Sequence, residues 1–319
     1  MMDWTDRHCR MFHRHLTRHA LLYTEMVTAD AVIHGDRERL IGFSEPEHPL
    51  ALQLGGNEPD KLAEATRIAE GFGYDEVNLN CGCPSDRVQS GAFGACLMRE
   101  PERVAECLSA MTDAVSIPVT VKHRIGVDED EPEERLFEFV DIVSRDSPCR
   151  VFEVHARKAW LKGLSPKENR DIPPLDYPLV HRLKAERPDL TIVLNGGLTD
   201  LDASLKHLDE LDGVMLGRAA YQDPQILLGV DPAFFGEDAP YPDMISALKA
   251  YRDNYIVGQL ARGTPLHAIT RHLLGAFNGR PGARLWRRHL SENAPRAGDD
   301  ISVFDDALAL VSQHLMSDA

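Results

Sequence analysis

Short β-branched runs alternate with amphipathic stretches of similar length through the first two thirds of the chain. This rhythm limits the possible folds sharply, because strands that alternate with helical patterns build parallel sheets through crossover helices. Strands are expected at 21–27, 50–55, 76–81, 118–125, 150–156, 191–196 and 213–218. The stretch 59–72 predicts a helix with Leu62, Ala65, Ala69 and Phe72 on one face. A second helix starts at Pro101, a residue suited to a first turn, and carries Val104, Leu108, Met111 and Val115 at helical spacing. Leu136, Val140 and Val143 mark a third, Leu179 and Leu183 a fourth, and Leu201, Leu205 and Leu208 a fifth.

These are seven strands, and a closed (β/α)8 barrel needs eight. Met1-Met2-Asp3-Trp4 reads like the loop after a strand, and 4–19 like a first helix with Cys9, Phe12, His13 and Leu16 on one side. The fold class expected is therefore a TIM (β/α)8 barrel truncated at its first strand, with residues upstream of Met1 belonging to the functional protein. The rhythm stops at 232–242, where three prolines, Phe234, Phe235 and acids read as a linker. Helices are expected near 243–260, 265–277, 281–293 and 303–316. The expected division is a catalytic barrel over 1–235 and a small all-helical domain over 236–319.

In parallel barrels the chemistry sits at the C-terminal ends of the strands. Those ends present Gln53; Asn78, Asn80, Cys81 and Cys83; Lys122 and His123; His155 and Arg157; Asn195-Gly196-Gly197; and Gly217-Arg218. The last two loops would follow strands seven and eight of a closed barrel, where phosphates are often held by backbone N–H groups. Glycine lets the backbone approach closely, and Arg218 adds positive charge. No GxGxxG follows a strand, so a mononucleotide such as FMN suits this chain better than a dinucleotide. Lys122 lies inside the strand Val119-Thr120-Val121-Lys122-His123, and a charge there must face the site or be costly. Gly82 and Pro84 force a turn that can present Cys83 to the cavity, while Cys81 alternates away from it.

The net charge of −16 argues against nucleic-acid binding only if it is evenly spread. It is not: 271–289 holds five arginines and no acid, whereas 128–134 holds six acids. The six cysteines form no CxxC pair, so no metal site is expected and most thiols read as reduced and buried. No apolar run reaches the roughly 18 residues of a membrane span, and no signal peptide is visible, so a cytoplasmic protein without a membrane partner is expected.

Several segments together resemble the tRNA-dihydrouridine synthases: Met1-Met2-Asp3-Trp4-Thr5-Asp6, Asn78 to Pro84, Ser90-Gly91-Ala92-Phe93-Gly94, Val121-Lys122-His123-Arg124 and His155-Ala156-Arg157-Lys158-Ala159. Leu164-Ser165-Pro166-Lys167-Glu168-Asn169-Arg170 and Phe277-Asn278-Gly279-Arg280-Pro281-Gly282-Ala283-Arg284 are similar to the bacterial A subfamily in particular. The likeness implies non-covalent FMN, NADPH as reductant, and reduction of uridines at positions 20 and 20a of the tRNA D-loop. It implies FMN contacts from Met2, Gln53, Lys122, His155, Asn195, Gly196, Gly197, Gly217 and Arg218. It implies tRNA contacts from Asn80, Lys167, Arg170, Arg284 and Arg287. Arg288 shares a helical face with Arg284 at i, i+4 and joins that set. Cys83 is implied as the general acid. A thiol with a reference pKa of about 8.5 is mostly protonated near neutral pH and can protonate carbon 5 of uracil. Asn80, His155 or Arg157 would hold the base edge of a uridine that has left its stack. A monomer is expected. Two alternatives stand beside this reading: a flavin barrel acting on a free pyrimidine, and an RNA-binding protein with an inactive barrel.

Overall fold

The computed structural model describes residues 1–85 and 91–317. Seven parallel strands form one sheet in sequence order: β1 Leu22–Thr28, β2 Leu50–Gly55, β3 Glu76–Cys81, β4 Val119–Arg124, β5 Val151–His155, β6 Thr191–Asn195 and β7 Gly213–Met215. Each strand pairs with its sequence neighbours. Among the described residues no ladder joins β1 to β7, so the barrel is open between them.

The sheet is curled, and the alternation along each strand explains what it encloses. Val77, Leu79 and Cys81 in β3, and Val119 and Val121 in β4, point outward into the core beneath the helices. The alternate positions Glu76, Asn78, Asn80, Thr120, Lys122 and Glu153 point inward. The Tyr23 hydroxyl of β1 reaches Glu153 of β5 at 3.2 Å, a contact possible only across the inside of a curl.

The expected helices are present. Pro59–Phe72 and Pro101–Ala114 each begin on a proline, which suits a first turn because that N–H has no helical partner. Helix Pro59–Phe72 ends at Gly73, whose φ of 97° satisfies the left-handed cap that favours glycine. Helices Pro132–Asp146, Tyr177–Glu186 and Leu201–His207 complete the crossovers. Two helices were not foreseen: Ala29–His34 and Arg37–Ile41 follow β1.

After a π-helical turn at Asp231–Phe235 the chain is helical. Met244–Tyr251 runs through Arg252–Ile256 into Val257–Ala261, followed by Leu266–Thr270, Ala283–Ala297 and Ser302–Ser317. The expected 265–277 helix is shorter than its pattern: after Thr270 the chain proceeds in turns through Gly275 and Gly279. A Cβ on Gly275 would lie 2.5 Å from the Gln222 carbonyl oxygen, so close approach to the barrel selects glycine there. A second core forms from these helices and from Met11, Phe12 and Leu16 of the N-terminal helix Arg7–Arg14 and the turn after it.

Candidate active site

The C-terminal ends of the strands meet in a polar bowl. Gln53 donates to Asn78 Oδ1 at 2.9 Å, and Asn80 Nδ2 donates to Gln53 Oε1 at 2.7 Å. Asn80 Oδ1 accepts from the backbone N–H groups of Gly82 at 3.1 Å and Cys83 at 2.9 Å. That side chain therefore shapes the turn carrying Cys83, whose thiol is half-buried and 3.6 Å from the Ser85 hydroxyl. Cys81 is fully buried on the other side of the sheet, and burial pushes its thiol well above the ordinary range.

Lys122 points into the bowl and donates to Asn195 Oδ1 at 3.0 Å, while Asn195 Nδ2 donates to the Met215 carbonyl at 2.7 Å. Burial, followed by the charge of Arg124, brings the Lys122 ammonium down to about 8, so it remains protonated at neutral pH. His155 lies next to Gly196: a Cβ on that glycine would stand 3.2 Å from His155 Nε2. Burial, then the charges of Arg124, Lys122, Arg157 and Arg218, hold His155 well below its ordinary range, so its imidazole is neutral. Four cations thus surround one neutral imidazole. Among the described residues His155 Nδ1, Arg157 Nε and Arg170 Nε are buried without a hydrogen-bond partner. Buried polar nitrogens without partners are uncommon, and a group that includes two guanidinium N–H donors beside clustered positive charge fits an anionic ligand.

Gly196 and Gly197 take φ values of 105° and 71°, which glycine alone adopts freely. Gly217 differs: its backbone is not left-handed, and it precedes the short helix Arg218–Gln222. Met2 is 58% exposed. Arg218 is already engaged, with Nη1 2.8 Å from the Asp171 carboxylate and Nη2 donating to the Arg170 carbonyl at 3.2 Å.

Arg218 is one of three arginines that hold the loop after β5. Arg157 donates to the carbonyls of Asp171 and Pro173. Arg124, at the end of β4, donates to the carbonyls of Lys158 and Asn169 at 3.0 Å each and to that of Gly82 at 2.9 Å. One guanidinium therefore ties the Cys83 turn to the loop that carries Lys167 and Arg170. Asn169, fully buried, closes that loop: its Oδ1 accepts from Trp160 N at 2.7 Å and its Nδ2 donates to the Trp160 carbonyl at 2.8 Å. Lys167 is exposed on the loop's outer side.

The remaining basic residues lie elsewhere. Arg284, Arg287 and Arg288 are exposed on helix Ala283–Ala297, whose opposite face buries Ala283, Trp286, Leu290 and Ala294. Arg288 pairs with Glu292 at 3.1 Å, an acid one turn beyond the acid-free stretch. Among the described residues Arg284 and Arg287 have no acidic partner. Ser90, part of one sequence motif, lies outside the described residues.

Sequence reasoning missed the floor of the bowl. Glu153 is buried, accepts from Asn78 Nδ2 at 2.6 Å and lies 3.2 Å from the Tyr23 hydroxyl, and it stands near Glu76, which accepts from Tyr23 at 2.7 Å and from Thr120 at 2.8 Å. Burial, then the charge of Glu76, raises the Glu153 carboxyl to about 8. The signal was available: Glu153 interrupts an apolar strand in the same way as Lys122, its register partner across β4 and β5.

The family model described as Dihydrouridine synthase (Dus) matches residues 1–311. The chain is 58% identical over 312 residues to the tRNA-dihydrouridine(20/20a) synthase of Yersinia pestis, covering 98% of this chain and 90% of that protein. It is 56% identical over 312 residues to the protein of the same name from Escherichia coli (strain K12), with the same coverage. Among solved structures, morphinone reductase aligns at a TM-score of 0.51 and 13% identity over 76% of this chain and 84% of that one, a likeness of fold alone. The fold defines a TIM-barrel-like class with a polar bowl at its strand ends and a helical C-terminal region. Within that class, the chain belongs to the dihydrouridine synthase family, a family of oxidoreductases.

Proposed function

We propose that this protein is an FMN-dependent tRNA-dihydrouridine synthase that reduces the C5=C6 bond of D-loop uridines at positions 20 and 20a, with NADPH as reductant. It acts as a cytoplasmic monomer, with residues 1–235 as the catalytic barrel and 236–319 as the helical tRNA-binding domain. The observation that carries the reading is the bowl itself, where a half-buried thiol and a ring of cations share one cavity with unpartnered donors.

The residues present fit FMN. Gln53, Lys122, His155 and Asn195 would hold the ring system, and Gly196, Gly197, Gly217 and Arg218 the phosphate end, with Met2 as a further contact. Bound FMN supplies the hydride that uracil receives at carbon 6. The chain supplies the rest. Cys83 donates its Sγ proton to carbon 5, and the half-buried thiol recovers a proton from solvent. Asn80, His155 or Arg157 would hold the polar edge of the base. Lys167, Arg170, Arg284, Arg287 and Arg288 contact the tRNA backbone. A free pyrimidine would have no use for the exposed arginine face, which favours a polynucleotide substrate.

The test is direct. The purified protein should release FMN on heat denaturation, and its reduced form should convert uridine to dihydrouridine in tRNA but not free uridine. Release of no flavin or of FAD, or equal turnover of free uridine, would overturn the reading.

A further inference from the structure

The polar side chains on the inner face of the barrel form a hydrogen-bond chain with a single direction. Asn80 Nδ2 donates to Gln53 Oε1, Gln53 Nε2 donates to Asn78 Oδ1, and Asn78 Nδ2 donates to Glu153 Oε2, at 2.7, 2.9 and 2.6 Å. A primary amide has one donor end and one acceptor end. Whichever group receives the last donor therefore fixes the orientation of every amide above it. The last receivers are Glu153, buried on the floor of the bowl, and the Thr120 hydroxyl at 2.8 Å, which itself donates to Glu76. At the opposite end the remaining acceptor, Asn80 Oδ1, takes the N–H groups of Gly82 and Cys83.

We propose that Glu153 is a positioning residue for Cys83: by terminating the Asn80–Gln53–Asn78 chain as an acceptor, it aims the amide oxygen that holds the Cys83 turn. The inference rests on the reading of Cys83 as the proton donor and adds to it a control point on the opposite side of the barrel. Without Glu153 only the Thr120 hydroxyl receives the Asn78 NH2 group, and that hydroxyl can turn from Glu76 to donate instead, so Asn78 can turn its amide. Gln53 would then meet a donor where it now meets an oxygen, and the mismatch would pass upward. Asn80 would offer an NH2 group to two backbone N–H groups, a contact that must break. Tyr23 and Thr120 support this polarity: each donates its hydroxyl to Glu76, at 2.7 and 2.8 Å, which leaves the Tyr23 oxygen to accept the Glu153 proton at 3.2 Å and Glu153 Oε2 to accept from Asn78. The carboxyl raised to about 8 also makes glutamine a close stand-in at neutral pH, because both are uncharged and both offer a carbonyl oxygen to Asn78.

The experiment compares Glu153→Gln and Glu153→Leu in the FMN-loaded full chain, each with Cys83 intact and with Cys83→Ala. The readouts are the single-turnover rate of uridine reduction, tRNA affinity, and alkylation of Cys83 and Cys96 by iodoacetamide before tRNA is added. Glu153→Leu should slow reduction about 10–100-fold with tRNA affinity unchanged, the scale expected when a reacting group is misplaced by about 1 Å. Glu153→Gln should stay within about threefold of the parent, on the same scale. In the Cys83→Ala background Glu153→Leu should cost less than about twofold, because two changes acting through one group are not additive. Alkylation of Cys83 should rise in Glu153→Leu while that of Cys96 stays constant. Equal losses in both cysteine backgrounds, a Glu153→Gln variant as impaired as the leucine variant, or parallel increases at both thiols would each overturn the proposal. A Cys83→Ala enzyme as fast as the parent would overturn the reading of Cys83 itself, and this proposal with it.

Discussion

Cys81 and Cys83 stand two positions apart and meet opposite environments, because strand alternation buries the first under the helices and the turn at Gly82 delivers the second to the bowl. This contrast gives the first expected outcome. Cys83→Ala should fold, bind FMN and bind tRNA, yet reduce uridine about 10²–10⁴-fold more slowly, the usual contribution of a general acid. Cys81→Ala should cost stability and little rate. Single-turnover rates at saturating tRNA decide between them. Glu153 gives the second outcome, and its sign follows from linkage. The folded protein keeps a proton on Glu153 up to about 8, whereas an ordinary glutamate loses it near 4.5. Between those values the unfolded chain holds fewer protons, so the contribution of Glu153 to stability is fully present below 4.5 and is lost as pH rises through 8. Glu153→Gln removes that loss. Denaturation across this window should show the parent losing stability with rising pH by more than the variant. Parallel curves would place the proton elsewhere.

Elements were legible in the sequence where a period could be read. Strand β3 and helix Pro59–Phe72 match the periodic segments residue for residue, because long runs of alternating or helical pattern leave little freedom. Helices Ala29–His34 and Arg37–Ile41 span six and five residues, too few for one face to repeat, and they escaped notice. The loop after β5 was legible as motif and not as structure. Its order comes from Arg124, Arg157 and Arg218 on three different strand ends, and no local pattern announces such long-range contacts. Asn169 is the test of that loop. With its amide removed, the half-buried Trp160 N–H and carbonyl lose their partners, so Asn169→Ala should lower stability by about 2 kcal/mol in urea denaturation. A change within about 0.5 kcal/mol, the range of ordinary surface substitutions, would show that the loop re-forms without it. On helix Ala283–Ala297, reversal of Arg284, Arg287 and Arg288 to glutamate should weaken tRNA binding and flatten its dependence on salt. Reduction of the flavin by NADPH should be unaffected. Unchanged tRNA affinity would mark the face as merely solvated.

Over the whole molecule, alternation was enough to give the parallel barrel, its open count of seven strands and the helical character of the C-terminal region. It did not show how the two ends of the chain are joined, because that depends on contacts more than two hundred residues apart. The Tyr251 hydroxyl donates to the His8 carbonyl at 2.8 Å, Trp4 stacks on Tyr221 at 4.4 Å, and His272 meets the Asp6 carboxylate at 2.9 Å. Phe12, fully buried, packs 5.5 Å from the Tyr251 ring within the core that also holds Trp286 and Phe304. A functional boundary near residue 235 is therefore compatible with folding as one unit, since the C-terminal helices complete their core with residues from the other end of the chain. Phe12→Ala should cost about 3–5 kcal/mol, the range for deleting a buried aromatic ring. The location of the effect is more informative than its size. If the core is shared, amide exchange should speed up in helix Ala283–Ala297 as well as in Arg7–Arg14, although Phe12 belongs to neither the C-terminal helices nor the proposed tRNA-binding face. Faster exchange confined to the N-terminal helix would mean that the C-terminal region holds its fold without Phe12. In that case residues 236–319 would be an independent folding unit as well as a functional one.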